Sequence, residues 1–228
     1  MTIKFGIDGT GPFFDSTYAE NFANSHVKKI CTGNNEYSRG PIGPGGGLPE
    51  AINMGYRAIM AKREIPMHRN SDILLTGYSR GGLGVLVIAR MLKEQNIPVK
   101  AILLFDSVDR HAGYSADVVP DNVQNVFHAR RDPSARSRMS FGNCGTQYTH
   151  STNYEQSFFV CTHGAMGGTP WKPGDGESPN DYIREGTLED VYNWDWNSRT
   201  NITFATDRRM SEVVWGFVQP FIRRHGFM

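Results

Sequence analysis

The sequence predicts an α/β fold in which a mainly parallel central sheet is covered by helices on both faces, a three-layer sandwich. Short continuous apolar runs at residues 3–7, 73–76, 100–105 and 122–128 read as strands buried on both sides. They alternate with segments whose apolar residues recur at three and four positions, the helical spacing. One segment, residues 72–90, holds an apolar strand, a tight glycine turn and an apolar helix in immediate succession. With 228 residues and no repeat, low-complexity tract or linker, residues 1–228 are expected to form a single domain.

Taken in order, residues 3–7 form a strand that runs into Asp8-Gly-Thr-Gly11, a turn where a sheet's carboxyl end would open onto a site. Residues 18–24 read as a weak helix and residues 27–31, with Val27 and Ile30, as a strand. Residues 32–47 are dense in Gly, Asn and Pro and include Gly43-Pro-Gly-Gly-Gly47. No Lys-Ser/Thr follows that run and Leu48 takes the place of a dinucleotide glycine, so it is read as a surface loop near the site. Pro49 suits the first turn of a helix bearing Ile52, Tyr56, Ile59 and Met60 on one face, with Pro66 just past its end.

Residues 73–76, Gly77-Tyr-Ser-Arg-Gly81 and the helix bearing Leu83, Val85, Leu86, Val87, Ile88 and Met91 place Ser79 in a strand-turn-helix elbow. Such a turn strains the serine backbone, exposes its Oγ at the sheet end and sets it against free helix N–H groups, which favour a developing negative charge. The strand at 100–105 ends in Asp106-Ser-Val-Asp109, and that at 122–128 runs into Ala129-Arg-Arg-Asp132. Residues 133–156 are polar and irregular, residues 157–161 are short and apolar, and Thr162-His163 opens a glycine-rich loop. Met210, Val213, Val214, Phe217, Val218, Phe221 and Ile222 mark a closing helix with Thr206 or Asp207 as cap and a kink at Pro220.

Composition narrows the function. A formal net charge of +1 gives no electrostatic case for nucleic acid, and the arginines at 130, 131, 136 and 138 read as a solvated loop. Cys31, Cys144 and Cys161 are too few and scattered for a disulfide framework or a zinc site, so free thiols are expected. The N-terminus has no signal-peptide pattern and no run reaches the length of a membrane span. A soluble protein, cytoplasmic by default or exported by a route independent of signal peptides, is therefore expected; peripheral membrane contact and oligomeric state stay open.

A serine hydroxyl needs a base within hydrogen-bond reach, and the base needs an acid to orient it. In hydrolases of this architecture they follow in the order Ser, Asp or Glu, His, from later strand ends. Of the 7 histidines, His163 stands directly after an apolar strand at the head of a glycine-rich loop, with His128 the second choice. Spacing leaves Asp106 and Asp132 both open as the acid.

These motifs carry a resemblance. Ile7-Asp-Gly-Thr-Gly11, Gly77-Tyr-Ser-Arg-Gly81, Phe105-Asp-Ser-Val108, His128-Ala-Arg-Arg-Asp132 and His163-Gly-Ala-Met-Gly-Gly168 resemble, in order, those of the uncharacterised alpha/beta-hydrolase family that includes the type VI secretion lipase and phospholipase effectors. The resemblance spans roughly residues 5–168 and implies an alpha/beta-hydrolase-like sandwich. It implies Ser79 as nucleophile, Asp106 as acid and His163 as base, with oxyanion donors from the backbone of Arg80 and of the loop holding Gly9 and Thr10; Asp132 becomes structural. The chain departs from the pattern in Ser107, in Gly164-Ala165 and in lacking the extra domains of larger members.

The expected function is hydrolysis of a carboxylic ester, on a small-molecule or lipid substrate, with neither metal nor organic cofactor required. A catalytically silent member of the fold, serving as a binding or assembly module, is the alternative. A phosphatase built on Asp8-Gly-Thr, which resembles the haloacid dehalogenase motif, fails because Gly6 stands where the nucleophilic aspartate should be.

Overall fold

The computed structural model of the chain describes residues 1–43, 46–111, 113–185, 187–188, 194–195 and 199–228. Pro44 and Gly45, in the middle of the glycine run, lie outside the described residues. The strands are β1 (Thr2–Ile7), β2 (Tyr37–Ser38), β3 (Asp72–Tyr78), β4 (Val99–Phe105), β5 (Val123–Arg131), β6 (Asn153–Phe159), β7 (Tyr182–Arg184), β8 (Thr187–Leu188), β9 (Trp194–Asp195) and β10 (Arg199–Thr203). The helices are α1 (Asp15–Asn21), α2 (His26–Ile30), α3 (Leu48–Glu64), α4 (Arg80–Glu94), α5 (His163–Met166) and α6 (Phe204–His225).

The central sheet has six strands in the order β2-β1-β3-β4-β5-β6, all parallel. Alternation along each strand sends side chains to opposite faces. Ile73, Leu75, Ile102 and Leu104 enter one core with Leu48, Ile52 and Ile59 of α3 and the apolar residues of α4. Leu74, Leu103 and Phe105 enter the other, with Val27 and Ile30 of α2 and Val214, Val218 and Phe221 of α6. Because both faces are covered, the central strands need apolar residues at successive positions. Helix α4 is buried on nearly every side, and Ala116, Val119 and Cys144 join the same core.

The register aligns the carboxyl ends of the strands. Ile7 pairs with Gly77, Tyr78 with Phe105, Phe105 with Ala129 and Arg131 with Phe159. Asp8, Ser79 and Asp106 each follow their strand at this edge or directly adjoin it. The chain leaves β1 toward β2 and then returns to place β3 on the other side, so the crevice beyond β1 and β3 is the topological switch point.

Several elements differ from the sequence expectation. The expected strand at residues 27–31 is instead helix α2 (His26–Ile30) with Cys31 as its C-cap, because Ser25 caps the turn by accepting from Lys28 N–H while Lys28 and Lys29 stand in its last turn, at the negative end. A two-residue edge strand, β2, lies within the expected loop, and β6 begins four residues earlier than its apolar run. Helix α6 is capped by Thr203, whose Oγ1 accepts from Thr206 N–H, and runs unbroken through Pro220; Asp207 lies one turn inside. The cysteines are free and buried. No described helix is long and apolar enough to cross a membrane.

Candidate active site

Ser79 links β3 to α4 with φ 56° and ψ −128°, a conformation that costs energy in a residue with a Cβ. The turn is possible only with glycines beside it. A Cβ on Gly81 would lie 2.1 Å from the Ile7 carbonyl oxygen, and one on Gly77 2.5 Å from that of Gly81. Ser79 N–H donates to the Phe105 carbonyl (3.0 Å), and the Ser79 carbonyl accepts from Val108 N–H (3.1 Å), which fixes the elbow to the end of β4.

Asp106 ends β4, also with a positive φ of 45°. Its N–H donates to the Ala129 carbonyl at 2.7 Å. The carboxylate is fully buried and saturated. Oδ1 accepts from Asn143 Nδ2 at 2.8 Å and from Arg131 N–H at 3.3 Å, and Oδ2 lies 2.6 Å from both Arg131 Nε and His163 Nδ1. Burial alone would raise this acid's pKa. The Arg131 guanidinium and the His163 hydrogen bond outweigh burial and hold it well below the usual carboxylate range.

His163 is the first residue of α5, whose cap Thr162 accepts from Ala165 N–H. The imidazole meets Tyr78 at 5.0 Å between ring centroids and the edge of Phe141 at 5.2 Å. Its Nε2 is 2.8 Å from Ser79 Oγ. With Nδ1 against a carboxylate, the neutral ring carries its proton there and turns the Nε2 lone pair to the serine. Burial lowers the His163 pKa, and Asp106 offsets only part of that. The structure thus brings Ser79, Asp106 and His163 together in one line.

His128 and Asp132 stand elsewhere. His128 is buried, accepts from Ser107 N–H at Nε2 (3.1 Å) and contacts Tyr154 Oη at Nδ1; burial pushes its pKa down to about 3. Asp132 accepts from Ser134 N–H at 2.8 Å and caps the 3-10 turn Pro133–Ala135.

On the β1 side, Asp8 is fully buried and accepts from Ser25 Oγ, Gly9 N–H (3.1 Å) and Tyr37 Oη (3.1 Å). Burial pushes it up to about 7 against those hydrogen bonds. Tyr18 Oη donates to the Gly9 carbonyl (2.7 Å) and accepts from Gly40 N–H, and Gly11 N–H donates to the Pro41 carbonyl. The loop 9–11 is therefore held from below and from the side, with Gly9 and Gly11 N–H engaged.

Sequence reasoning missed the groups that hold this geometry. Arg131 is no solvated loop residue: it is 8 % exposed, and its guanidinium donates to the carbonyls of Ser137, Arg138 and Phe141 besides pairing with Asp106. Alternation was the available signal, since a strand continued past His128 puts Arg131 on the same buried face as Phe127 and Ala129. Asp207 accepts from Thr162 N–H (2.8 Å), Thr162 Oγ1 (2.9 Å) and Trp171 N–H (3.1 Å), so α6 anchors the segment carrying His163. Nothing in the sequence linked the two.

Ser79 and His163 open onto a cavity of about 1380 Å³, whose wall includes Thr10, Arg80, Arg110 and Phe141. Among the described residues no group of three His, Cys, Asp or Glu side chains could hold a metal ion.

No family model matches the chain, and no curated protein does. Among solved structures it is similar to an alpha/beta hydrolase superfamily protein from Enterococcus faecalis, with 15 % identity over 46 % of this chain and 39 % of that one and a TM-score of 0.27. It is also similar to a protein described as an arylesterase, with 11 % identity, 72 % and 69 % coverage and a TM-score of 0.35. A third is the Vlm2 thioesterase domain, solved bound with a dodecadepsipeptide, with 11 % identity, 72 % and 87 % coverage and a TM-score of 0.35. The chain spans well under half the length of the first of these. The parallel six-stranded sheet, its helices on both faces and the elbow after β3 make this an alpha/beta-hydrolase-like three-layer sandwich.

Proposed function

We propose that the protein is a serine hydrolase of carboxylic esters, formed by residues 1–228 as one domain, with Ser79 as nucleophile, His163 as base and Asp106 as acid. The observation that carries this reading is the pair of contacts at His163, 2.8 Å to Ser79 Oγ and 2.6 Å to Asp106 Oδ2, on a strained elbow. Ser79 Oγ attacks the acyl carbonyl as its proton passes to His163 Nε2. The negative charge on the former carbonyl oxygen meets the N–H of Arg80, at the start of α4, and the N–H of Thr10. Gly9 is left out of that pair because its N–H already serves Asp8. His163 then protonates the leaving alcohol, and a water activated by the same imidazole cleaves the acyl-enzyme. The motif order supports placing the chain among the lipase-like and phospholipase-like members of the family it resembles.

A fluorophosphonate probe should label Ser79, and Ser79→Ala should lose both labelling and nitrophenyl ester hydrolysis. What remains should be a residual rate about 10³ to 10⁴ above water from binding and the oxyanion donors. Wild-type turnover by purified Ser79→Ala would remove Ser79 from this role, and no labelling of the intact protein would favour the silent binding module.

A further inference from the structure

One wall of the cavity carries charge that ester hydrolysis as such does not use. The Arg80 guanidinium is half-buried, and its Nη1 is buried with no hydrogen-bond partner. Burial, and then the charge of Arg110, lowers the Arg80 pKa, so the neighbour acting on this cation is another cation. Arg110 lies over the Phe141 ring at 4.6 Å and donates to Ser140 Oγ at 3.2 Å. Neither arginine pairs with a carboxylate among the described residues, unlike Arg131 with Asp106 or Arg224 with Glu155. The carboxylates on the cavity wall do not supply the missing charge. Glu185 accepts from Ser137 Oγ and Trp171 Nε1, Glu212 acts on Lys29, and Glu20 lies on α1.

Two guanidinium groups brought together partly out of water repel each other and lose hydration, an arrangement stabilised when an anion sits between them. The planar donor fork of arginine fits a carboxylate or a phosphate with two parallel hydrogen bonds. Both side chains line the same cavity as Ser79 and His163, and Arg80 directly follows the serine. We propose that Arg80 and Arg110 form an anion subsite, so that the ester cleaved at Ser79 bears a carboxylate or phosphate on the same molecule. This rests on the serine hydrolase reading.

Two measurements test it. In the first, kcat/KM is compared within matched pairs: nitrophenyl hydrogen succinate against nitrophenyl butyrate, and butyryl glycerol phosphate against monobutyrin. The first pair places a carboxylate on the acyl side and the second a phosphate on the alcohol side, which separates the two sources of charge. The wild-type protein should prefer the anionic member of at least one pair by about ten- to hundredfold. Arg80→Gln and Arg110→Gln should each shrink that ratio toward one, and Arg80→Lys should keep only part of it. Working with ratios cancels any general loss of activity in the variants.

In the second, inorganic phosphate and succinate are titrated into the intact protein by calorimetry at constant ionic strength. Saturable binding should weaken about tenfold or more in both glutamine variants. Absence of hydrolysis with anion binding intact and arginine-dependent would remove the hydrolase reading and leave the subsite standing. Ratios near one for the wild-type protein, or ratios and anion affinities that both substitutions leave unchanged, would overturn the subsite while leaving the hydrolase untouched.

Discussion

Asp8 and Asp106 are the same residue type, each directly after a parallel strand, each fully buried, and their carboxyls behave in opposite ways. Asp8 receives hydrogen bonds from two hydroxyls and one N–H and is still pushed up to about 7 by burial. Asp106 is held well below the usual range. The difference is first Arg131, a guanidinium 2.6 Å from Asp106 Oδ2, and then the His163 hydrogen bond, against which Asp8 has only the field of Lys28 as a cation. At Asp8 the neutral donors lower the pKa but do not outweigh burial, whereas at Asp106 the added cation does. One strand end thus keeps an anion at every working pH, and its neighbour two strands away sits at the balance point between charged and neutral.

The largest test of this contrast is Asp106→Asn. It preserves shape but removes the charge and lets His163 adopt the wrong tautomer, so kcat should fall by about 10⁴-fold in an ester assay. Circular dichroism should show the fold retained. Next comes Arg131→Met, which leaves the Asp106 charge buried without its cation and frees the carbonyls of residues 137, 138 and 141. It should cost about 3–5 kcal/mol in denaturant unfolding. The same substitution acts on the pH profile. In the proposed mechanism His163 must be neutral to accept the Ser79 proton, so wild-type activity should rise through an ionisation below the ordinary imidazole value of about 6.5. Removing the repulsive Arg131 charge should move that midpoint upward.

Asp8→Asn probes the other strand end. The folded pKa of Asp8 lies above its ordinary value of 3.8, so the stability it contributes is complete below that value and is lost as pH rises through about 7. The asparagine variant has no proton to lose at this position, so its melting temperature should fall less than that of wild type between about pH 4 and 7, by several degrees. Equal slopes in the two proteins would show that Asp8 does not set this dependence. The smallest effect belongs to Asp132→Asn, which alters one cap on an exposed 3-10 turn. A change of about 0.5 kcal/mol or less in stability and no measurable change in turnover is expected.

The central sheet could be read because β1, β3, β4 and the start of β5 are buried on both faces and so carry continuous apolar runs. At the edges that signal fails. β2 is two polar residues long, and β6 is a mix of half-exposed and exposed residues until Phe159, so only its apolar end reads as strand. In α2 the β-branched Val27 and Ile30 mimic a strand, and the cap at Ser25 decides otherwise. Ser79 stood out because the elbow needs glycines at fixed places. The choice between Asp106 and Asp132 was not legible from spacing, since it depends on which strand end faces the His163 segment. Arg131 and Asp207 were hidden for a related reason: a charge looks like a surface residue until the partner that buries it is known.

The three hydrogen bonds accepted by Asp207 also set an order of events during synthesis. Asp207 holds Thr162, which is 45 residues earlier in the chain and directly precedes His163. At about 5–20 residues per second, Thr162 is on the growing chain for about two to nine seconds before its anchor is added. During that interval the elbow, the Asp106 strand end and Arg131 are already on the chain, while the Thr162 segment that carries His163 lacks its anchor on α6. A chain halted on the ribosome before residue 207 should therefore resist fluorophosphonate labelling at Ser79, and reactivity should appear only once α6 has emerged and docked.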